Sequence, residues 1–246
     1  MKKLLSLTLM SSVLFFFSCG DDDNDVQKQL DDIIQLAQDN GFNSLAAALT
    51  RADLVDDLQG AGPFTVFAPS DDSFAALLGA IGQTSVDDVP ISVLKEILLY
   101  HVVSGQVFSG DIESGDVPTL NGDAVTLSTT GGITVNDVSV VGPFDVEASN
   151  GVIHTIDGVL VPGDVAQFVD TVLEPAYFNV NFTTLVSAVV QADLVNTLLT
   201  TSDLTIFAPT NQAFSDAKID PSTYTSDEQK AALAAVLKYH VVGSKN

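Results

Sequence analysis

The chain has 246 residues and a formal net charge of −23, with 32 acidic side chains against nine basic ones. This imbalance excludes a nucleic-acid-binding protein, because such proteins need Lys and Arg at the phosphates. Hydrophobic residues make up 46% of the chain. That share is too high for a disordered acidic protein, so we expect a folded core.

The first 18 residues have the features of an export signal. Lys2 and Lys3 precede an apolar run, Leu4 to Phe17, which is too short to span a bilayer comfortably. A small residue and then Cys19 follow, as in a bacterial lipoprotein processing site, where the cysteine is acylated. We therefore predict a lipoprotein signal peptide at 1–18 and lipid attachment at Cys19. The alternative is an ordinary cleaved signal with an incidental cysteine.

An acidic tether, residues 19–25, follows the signal and resembles the surface-export signal of Bacteroidetes lipoproteins. We expect an outer-membrane protein, exposed at the cell surface, whose only membrane contact is the lipid anchor. Each buried CH₂ of the acyl chains would contribute ~0.8 kcal/mol. Loss of Lys2 and Lys3 with the signal would change the formal charge from −23 to −25. Because Cys19 is the only cysteine, no disulfide can form within the chain.

One sequence unit then occurs twice. "TVFAPSDDSF" (Thr65–Phe74) returns as "TIFAPTNQAF" (Thr205–Phe214), an offset of 140 residues, and "LLYHVV" returns as "LKYHVV". So long a period is outside the range of solenoid repeats and indicates two domains, each with its own core. We place the first domain at 26–164 and the second at 165–246.

Helices precede strands in the first copy. Apolar spacing predicts helices over Leu30–Ala37, Leu45–Ala52 and Ile91–Leu99, with a short strand at Thr65–Ala68. Beyond the strand Tyr100–Val103, Asn-Gly and Gly-Gly turn dipeptides separate β-rich runs, a pattern typical of hairpins. Helices segregated from an antiparallel sheet predict an α+β fold.

The repeated stretch predicts a structural corner. Ser70 is a good N-cap, and Pro69 and Phe74 hold the N′ and N4 positions that a hydrophobic staple joins. The second copy repeats this spacing with Pro209, Thr210 and Phe214.

The acidic residues of the corner differ between the copies. Asp71 and Asp72 correspond to the uncharged Asn211 and Gln212. A catalytic pair of carboxylates would not be expected to vanish in this way. We interpret both carboxylates as dispensable, with favourable effects on the helix dipole of ~0.3–1 kcal/mol each.

Three blocks in order, "TVFAPSDDSFAAL", "LLYHVVSG" and "NGVIHTIDGVLVP", resemble a fasciclin domain. The resemblance covers the first copy completely and the second in part. It implies a wedge of two β-sheets with packed helices, repeated in tandem. It also implies extracellular adhesion or matrix attachment, with no catalytic activity and no cofactor.

Two tyrosine-histidine pairs are candidate partner-binding residues. Tyr100-His101 and its equivalent Tyr239-His240 correspond to a motif proposed to contact integrins in animal members of the family. Such a role needs exposed rings. His101, however, lies between apolar residues at a helix-to-strand junction, where a histidine more often fixes the junction by a hydrogen bond.

His154 is predicted to be a core histidine, because it alternates with Val152 and Ile156 on one strand face. The chain has no H-E-x-x-H, G-x-S-x-G or P-loop motif, and we predict no metal site and no enzyme. The one enzymatic alternative is a Ser-His-Asp site assembled from distant residues.

The leading functional hypothesis is a surface-anchored adhesion module for extracellular protein or polysaccharide, with homotypic association as a further option. The absence of Trp weakens the case for polysaccharide. The alternative is the binding of a small apolar ligand such as a carotenoid.

The second copy ends just after "YHVVGSKN", before counterparts of the first copy's hairpins and closing strand. We therefore expect only the N-terminal part of a second domain, truncated from a longer protein. Completion by strands from a partner chain is the alternative.

Overall fold

The computed structural model of the protein describes residues 30–243. The predicted signal peptide 1–18, the lipid attachment site Cys19 and the tether 19–25 lie outside the described residues. No helix within 30–243 combines the length and the apolar character needed to cross a membrane.

The first copy contains five α-helices and seven strands among the described residues, besides two short 3-10 helices at Val86–Asp88 and Ser109–Asp111. In chain order they are α1 (Ile33–Asp39), α2 (Asn43–Arg51), α3 (Val55–Leu58), β1 (Phe64–Pro69), α4 (Asp71–Ala80), α5 (Ile91–Tyr100), β2 (Val102–Ser104), β3 (Gly115–Pro118), β4 (Ala124–Ser128), β5 (Thr134–Val135), β6 (Val138–Ala148) and β7 (Gly151–Ile156).

The second copy repeats the helical half of this order. Its elements are α6 (Gly163–Ala166), α7 (Glu174–Tyr177), α8 (Thr183–Gln191), α9 (Val195–Thr200), β8 (Leu204–Ile206), α10 (Asn211–Asp216), α11 (Asp227–Lys238) and β9 (Val241–Gly243).

The seven strands of the first copy form one sheet in the order β2-β1-β7-β6-β5-β4-β3. The fold is α+β, as expected. The expectation of a purely antiparallel sheet is wrong, because β1 and β7 pair in parallel, from Phe64 opposite Gly151 to Pro69 opposite Ile156. The closing strand β7 therefore lies inside the sheet, between β1 and β6.

β6 joins two halves of the sheet. Its first residues, Val138 and Ser139, pair with β5, whereas the rest pairs with β7. The register on β7 shifts between Val141 and Val146, and such a bulge bends the strand. β6 thus belongs both to β2-β1-β7-β6 and to β6-β5-β4-β3.

Apolar side chains pack on both faces of β1 and β7. On one face Val66 and Ile153 contact the helices, in a cluster that continues into the second copy at Leu173 and Phe178. On the other face a smaller cluster fills the bend of the sheet, and it includes Phe67, Tyr100, Val103, Leu127 and Ile156. A buried apolar side chain on β1 or β7 therefore packs into one of two hydrophobic cores, according to the face of the sheet on which it lies.

Asn150-Gly151, predicted as a turn dipeptide, lies at the tight turn between β6 and β7, where Ala148 pairs with Gly151. Gly122, with φ of 107°, does adopt the left-handed backbone that such dipeptides favour. Gly151 is instead required by close approach, because a Cβ there would lie 2.1 Å from the carbonyl oxygen of Phe64. The buried Asn150 side chain accepts from the backbone N–H of Ile33 (3.1 Å) and donates to the carbonyl of Leu58 (2.7 Å).

The small sheet of the second copy repeats the β1–β2 pair. Thr205 lies opposite Val242 as Thr65 lies opposite Val103. Among the described residues β8 pairs with β9 alone, so no described strand lies on the edge of β8 that corresponds to the β7 side of β1.

Candidate functional site

Tyr100 ends α5 and lies inside the fold, with 6% of the residue exposed. Its hydroxyl donates to the carbonyl oxygen of Ala124 on β4 (3.0 Å) and accepts from the side-chain amide of Asn136 (2.8 Å). Asn136 in turn accepts from the backbone N–H of Thr126 (2.8 Å). The tyrosine thus fixes the end of α5 to the outer hairpins.

His101 caps α5 and is 1% exposed. Its Nε2 accepts from the backbone N–H of Leu160 (2.9 Å), so Nδ1 carries the proton and donates to the carbonyl oxygen of Ile97 (2.8 Å). The backbone carbonyl of His101 accepts from Phe67 on β1 (2.9 Å). Burial lowers the pKa of His101 to about 4, although the Ile97 carbonyl acts in the opposite direction. The ring is therefore neutral at pH 7.

The two tyrosine-histidine pairs differ in exposure. Tyr239 is 90% exposed, whereas Tyr100 is buried. His240 keeps the local bonds of His101: its Nδ1 lies 2.9 Å from the carbonyl oxygen of Val236, and its backbone carbonyl accepts from Phe207 (2.9 Å). No described residue takes the place of Leu160 beside His240. In this structure only the second pair presents a ring to a partner, and a binding role for either pair stays a prediction.

His154 lies on β7 and is completely buried. Its Nε2 donates to the carbonyl oxygen of Val107 (2.8 Å), and its ring centroid lies 5.9 Å from that of Phe67. Its Nδ1 makes no hydrogen bond and lies 3.7 Å from Oδ1 of Asp145.

Asp145 connects this histidine to Ser109. The carboxylate accepts from the backbone N–H of Ser109 (2.6 Å) and from its hydroxyl (2.5 Å). Desolvation acts to raise the pKa of Asp145, but the two Ser109 bonds and the charge of His154 outweigh it and hold the pKa below its usual range.

A nucleophilic triad uses the residue types of Ser109, Asp145 and His154. Their arrangement in space, however, is not that of a triad. The carboxylate lies between the other two, and the hydroxyl donates to Asp145 instead of to a histidine nitrogen. His154 therefore cannot act as the base for Ser109. Residues 30–243 also contain no group of three or more His, Cys, Asp or Glu side chains that could hold a metal ion.

The repeated corner caps a helix in both copies. Ser70 Oγ accepts from the N–H of Ser73 (3.2 Å), and Thr210 Oγ1 accepts from that of Ala213 (3.4 Å). Each cap follows a proline on the preceding strand or loop, and each helix buries its phenylalanine. These residues are Pro69 and Phe74 in the first copy, and Pro209 and Phe214 in the second.

Asp71 makes hydrogen bonds to another helix, which the interpretation of both carboxylates as dispensable did not anticipate. Its Oδ1 accepts from the backbone N–H of Ser44 (2.8 Å) at the start of α2, a helix whose own N-cap makes no side-chain hydrogen bond. Desolvation acts to raise the pKa of Asp71, but the bonds from Ser44 and Asn43 outweigh it and lower the pKa.

Asn211 takes the same role in the second copy, accepting from the N–H of Thr184 (2.8 Å). Asp and Asn both carry a side-chain oxygen that accepts a hydrogen bond at this position. The alignment of Asp71 with Asn211 in the repeat could therefore have indicated the shared role.

The Fasciclin domain model matches residues 40–162 and 180–246. The chain belongs to the fasciclin domain family. Protein sll1483 of Synechocystis sp. is 43% identical over 132 residues, which cover 53% of this chain and 73% of that protein. Human periostin is 30% identical over 218 residues, covering 88% of this chain and 24% of periostin.

Among solved structures, a fasciclin domain pair from the insect cell adhesion molecule Fasciclin I is 20% identical. The match covers 85% of this chain and 75% of the solved chain, with a TM-score of 0.42. The relatives from Synechocystis and from animals do not bear on the predicted Bacteroidetes lipoprotein type, which stays a prediction.

Proposed function

We propose that this fasciclin protein is a non-enzymatic adhesion module outside the cell, anchored by acyl chains on Cys19, that binds an extracellular protein. The observation that carries the proposal is a long segment whose charged side chains are, apart from its histidines, all acidic. Between Lys95 and Lys218 the sequence has no Lys or Arg, and the segment includes every strand from β2 to β8. Such a surface attracts basic regions of a partner and repels anionic ones.

The aromatic composition favours protein over polysaccharide as the partner. Sugars stack on exposed aromatic faces, and the chain has no Trp. Tyr100 is buried, and Tyr177 stacks on Phe168 at 3.9 Å. Exposed aromatic rings among the described residues are those of Phe144, Phe207 and Tyr239, which are 49%, 63% and 90% exposed.

The histidines of the first copy support a non-enzymatic role. His101 and His154 are both buried and bonded to backbone groups, as described above. At exposures of 1% and 0%, the two rings are not accessible from the surface.

A carotenoid has less support. The apolar cavities within the described residues have volumes of about 290, 220 and 140 Å³. Ligand pockets usually span roughly 300–1,000 Å³. These cavities are small for a long polyene, and a colourless protein purified from its native host would count against this alternative.

Two measurements test the proposal. Phase partitioning in detergent should move the wild-type chain into the detergent phase and leave Cys19→Ala in the aqueous phase. Equal partitioning of both proteins would reject the anchor.

For adhesion, the immobilised chain should retain basic extracellular proteins in preference to acidic ones of similar size. Retention should fall as salt rises from about 0.05 to 0.5 M, because screening weakens contacts between exposed charges. Tyr239→Ala should weaken retention more than Tyr224→Ala, since Tyr224 is only partly exposed. Retention that ignores both the charge of the partner and the salt concentration would reject the proposed partner class.

A further inference from the structure

The complete first copy contains an apolar cavity of about 220 Å³ between the sheet and the segment 107–113. Its walls come from both halves of the bent sheet and from that segment. They are formed by Phe67, Val103, Val107, Val117 and Leu127. Phe67, Val103 and Leu127 are buried, so the inner wall is apolar.

Hydrogen bonds hold the segment over the cavity. The backbone N–H of Val107 donates to Thr65 Oγ1 (3.0 Å), and its carbonyl accepts from His154 (2.8 Å). Two residues further on, Ser109 is bonded to Asp145 through its N–H and its hydroxyl. These bonds order the cavity wall before any ligand binds, so binding would lose little free energy to ordering it.

Two carboxylates stand at the opening. Asp111 and Glu113 line the cavity and are exposed, and no Lys or Arg lines it. The surrounding strands also lack Lys and Arg, because none occurs within residues 96–217. A low-dielectric cleft with charge of one sign focuses the field at its opening, so the potential there favours a cation.

We propose that this cavity binds small organic cations, with the apolar body of the ligand against the wall and its ammonium group between Asp111 and Glu113. A neutral compound of the same shape would gain only the burial of its apolar surface, and an anion would be repelled. The volume fits a single ring or a short alkyl chain. The inference depends on this cavity and not on the adhesion function.

The first test compares three probes of the same shape on the full chain: phenethylammonium, phenethyl alcohol and phenylacetate. Amide chemical shifts should change at Val107, Ile112 and Val117. At low salt the cation should bind about tenfold more tightly than the alcohol, and the anion should not bind. Equal affinity for the cation and the alcohol, or shift changes confined to other residues, would overturn the proposal.

The second test uses charge-matched variants. The double variant Asp111→Asn/Glu113→Gln should reduce the affinity for the cation to about that for the alcohol. Asp123→Asn/Asp137→Asn removes the same charge from exposed residues that do not line the cavity, and it should preserve most of the preference. Equal weakening by the two pairs would show a general field effect and would reject the assignment of Asp111 and Glu113.

A third variant, Val117→Phe, fills the space and should abolish binding of both the cation and the alcohol. Circular dichroism and amide exchange should show that this variant is folded. Undiminished binding in a folded Val117→Phe protein would place the ligand elsewhere.

Discussion

The two copies share their local hydrogen bonds and differ in burial. Phe67 is 2% exposed and its equivalent Phe207 is 63% exposed, and Val103 and Val242 are 5% and 49% exposed. Yet the backbone N–H of each phenylalanine donates to the carbonyl of the junction histidine at 2.9 Å.

This difference shows which contacts are local. The histidine cap and the β1–β2 type of pairing need only an adjoining helix and two short strands, which both copies have. The burial of the first copy depends on β7 and on the hairpins beyond it, which have no counterpart among the described residues of the second. The following predictions test this separation.

The largest effect is expected from the buried phenylalanine of the corner. Phe74→Ala should lower the free energy of unfolding of the first copy by about 3–5 kcal/mol, because the ring is 2% exposed and would leave a cavity. Phe214→Ala should cost less, since that side chain is slightly more exposed, at 5%. Amide hydrogen exchange in α4 and in α10, followed at increasing denaturant concentration, measures the change in unfolding free energy of the first and the second copy separately. An unchanged denaturation midpoint for Phe74→Ala would refute the structural role assigned to this corner.

The junction histidine His101 should make the stability of the first copy depend on pH. The pKa of His101 falls from an ordinary 6.5 to about 4 in the fold. The unfolded chain therefore binds the proton more readily between these pH values, and stability present above pH 6.5 is lost as the pH falls toward 4. The loss should be about 3 kcal/mol.

Urea unfolding at a series of pH values measures this loss. His101→Gln should flatten the profile in this window. A steep profile in His101→Gln would assign the pH dependence to another group.

The carboxylate that caps α2 should act through its acceptor oxygen and not through its charge. Asp71→Ala should cost about 1 kcal/mol or slightly more, as the loss of an N-terminal cap does. Asp71→Asn should cost much less, since Asn211 makes the equivalent bond in the second copy. Asp72→Ala, at an exposed neighbour, is the control. Thermal unfolding of the three variants ranks them, and equal losses in Asp71→Ala and Asp71→Asn would show that charge is what matters.

The smallest effect is expected from the hydroxyl caps. Ser70→Ala should cost about 1 kcal/mol, and Thr210→Ala somewhat less because its bond is longer, 3.4 Å against 3.2 Å. Neither change should affect ligand or partner binding. Denaturation midpoints together with the binding assays above check this. Impaired binding without loss of stability would give Ser70 a role beyond the cap.

The sequence predicted what depends on neighbouring residues. The cap at Ser70, the helix from Ile91 and the hairpins follow from short-range spacing and turn dipeptides. The helix ends one residue later than predicted, because Tyr100 belongs to α5 and not to the following strand. The parallel pairing of β1 with β7 could not be predicted in this way, because the strands come from distant parts of the chain and both are apolar. Strand direction is then decided by the packing of the whole sheet.

The candidate site shows the same limit. Apolar neighbours indicated that His101 fixes a junction, but its partner Leu160 is 59 positions away and could not be identified. Asp71 was misread for the same reason, since Ser44 is 27 positions away. The substitution of Asp by Asn between copies, read as loss of a charge, was in fact retention of an acceptor oxygen.

The absence of Lys and Arg from residues 96–217 also affects the fate of the chain outside a cell. Proteases of the trypsin type cleave after basic residues, so this segment stays in one piece even when it is unfolded. It contains the end of α5, nearly all of the large sheet, the link between the copies and α8. Survival against such proteases would therefore say nothing about folding. A predicted boundary near Asp164 has to be tested with a protease that cleaves after apolar or aromatic residues. Only then would a resistant first copy and a digested second copy reflect their difference in burial.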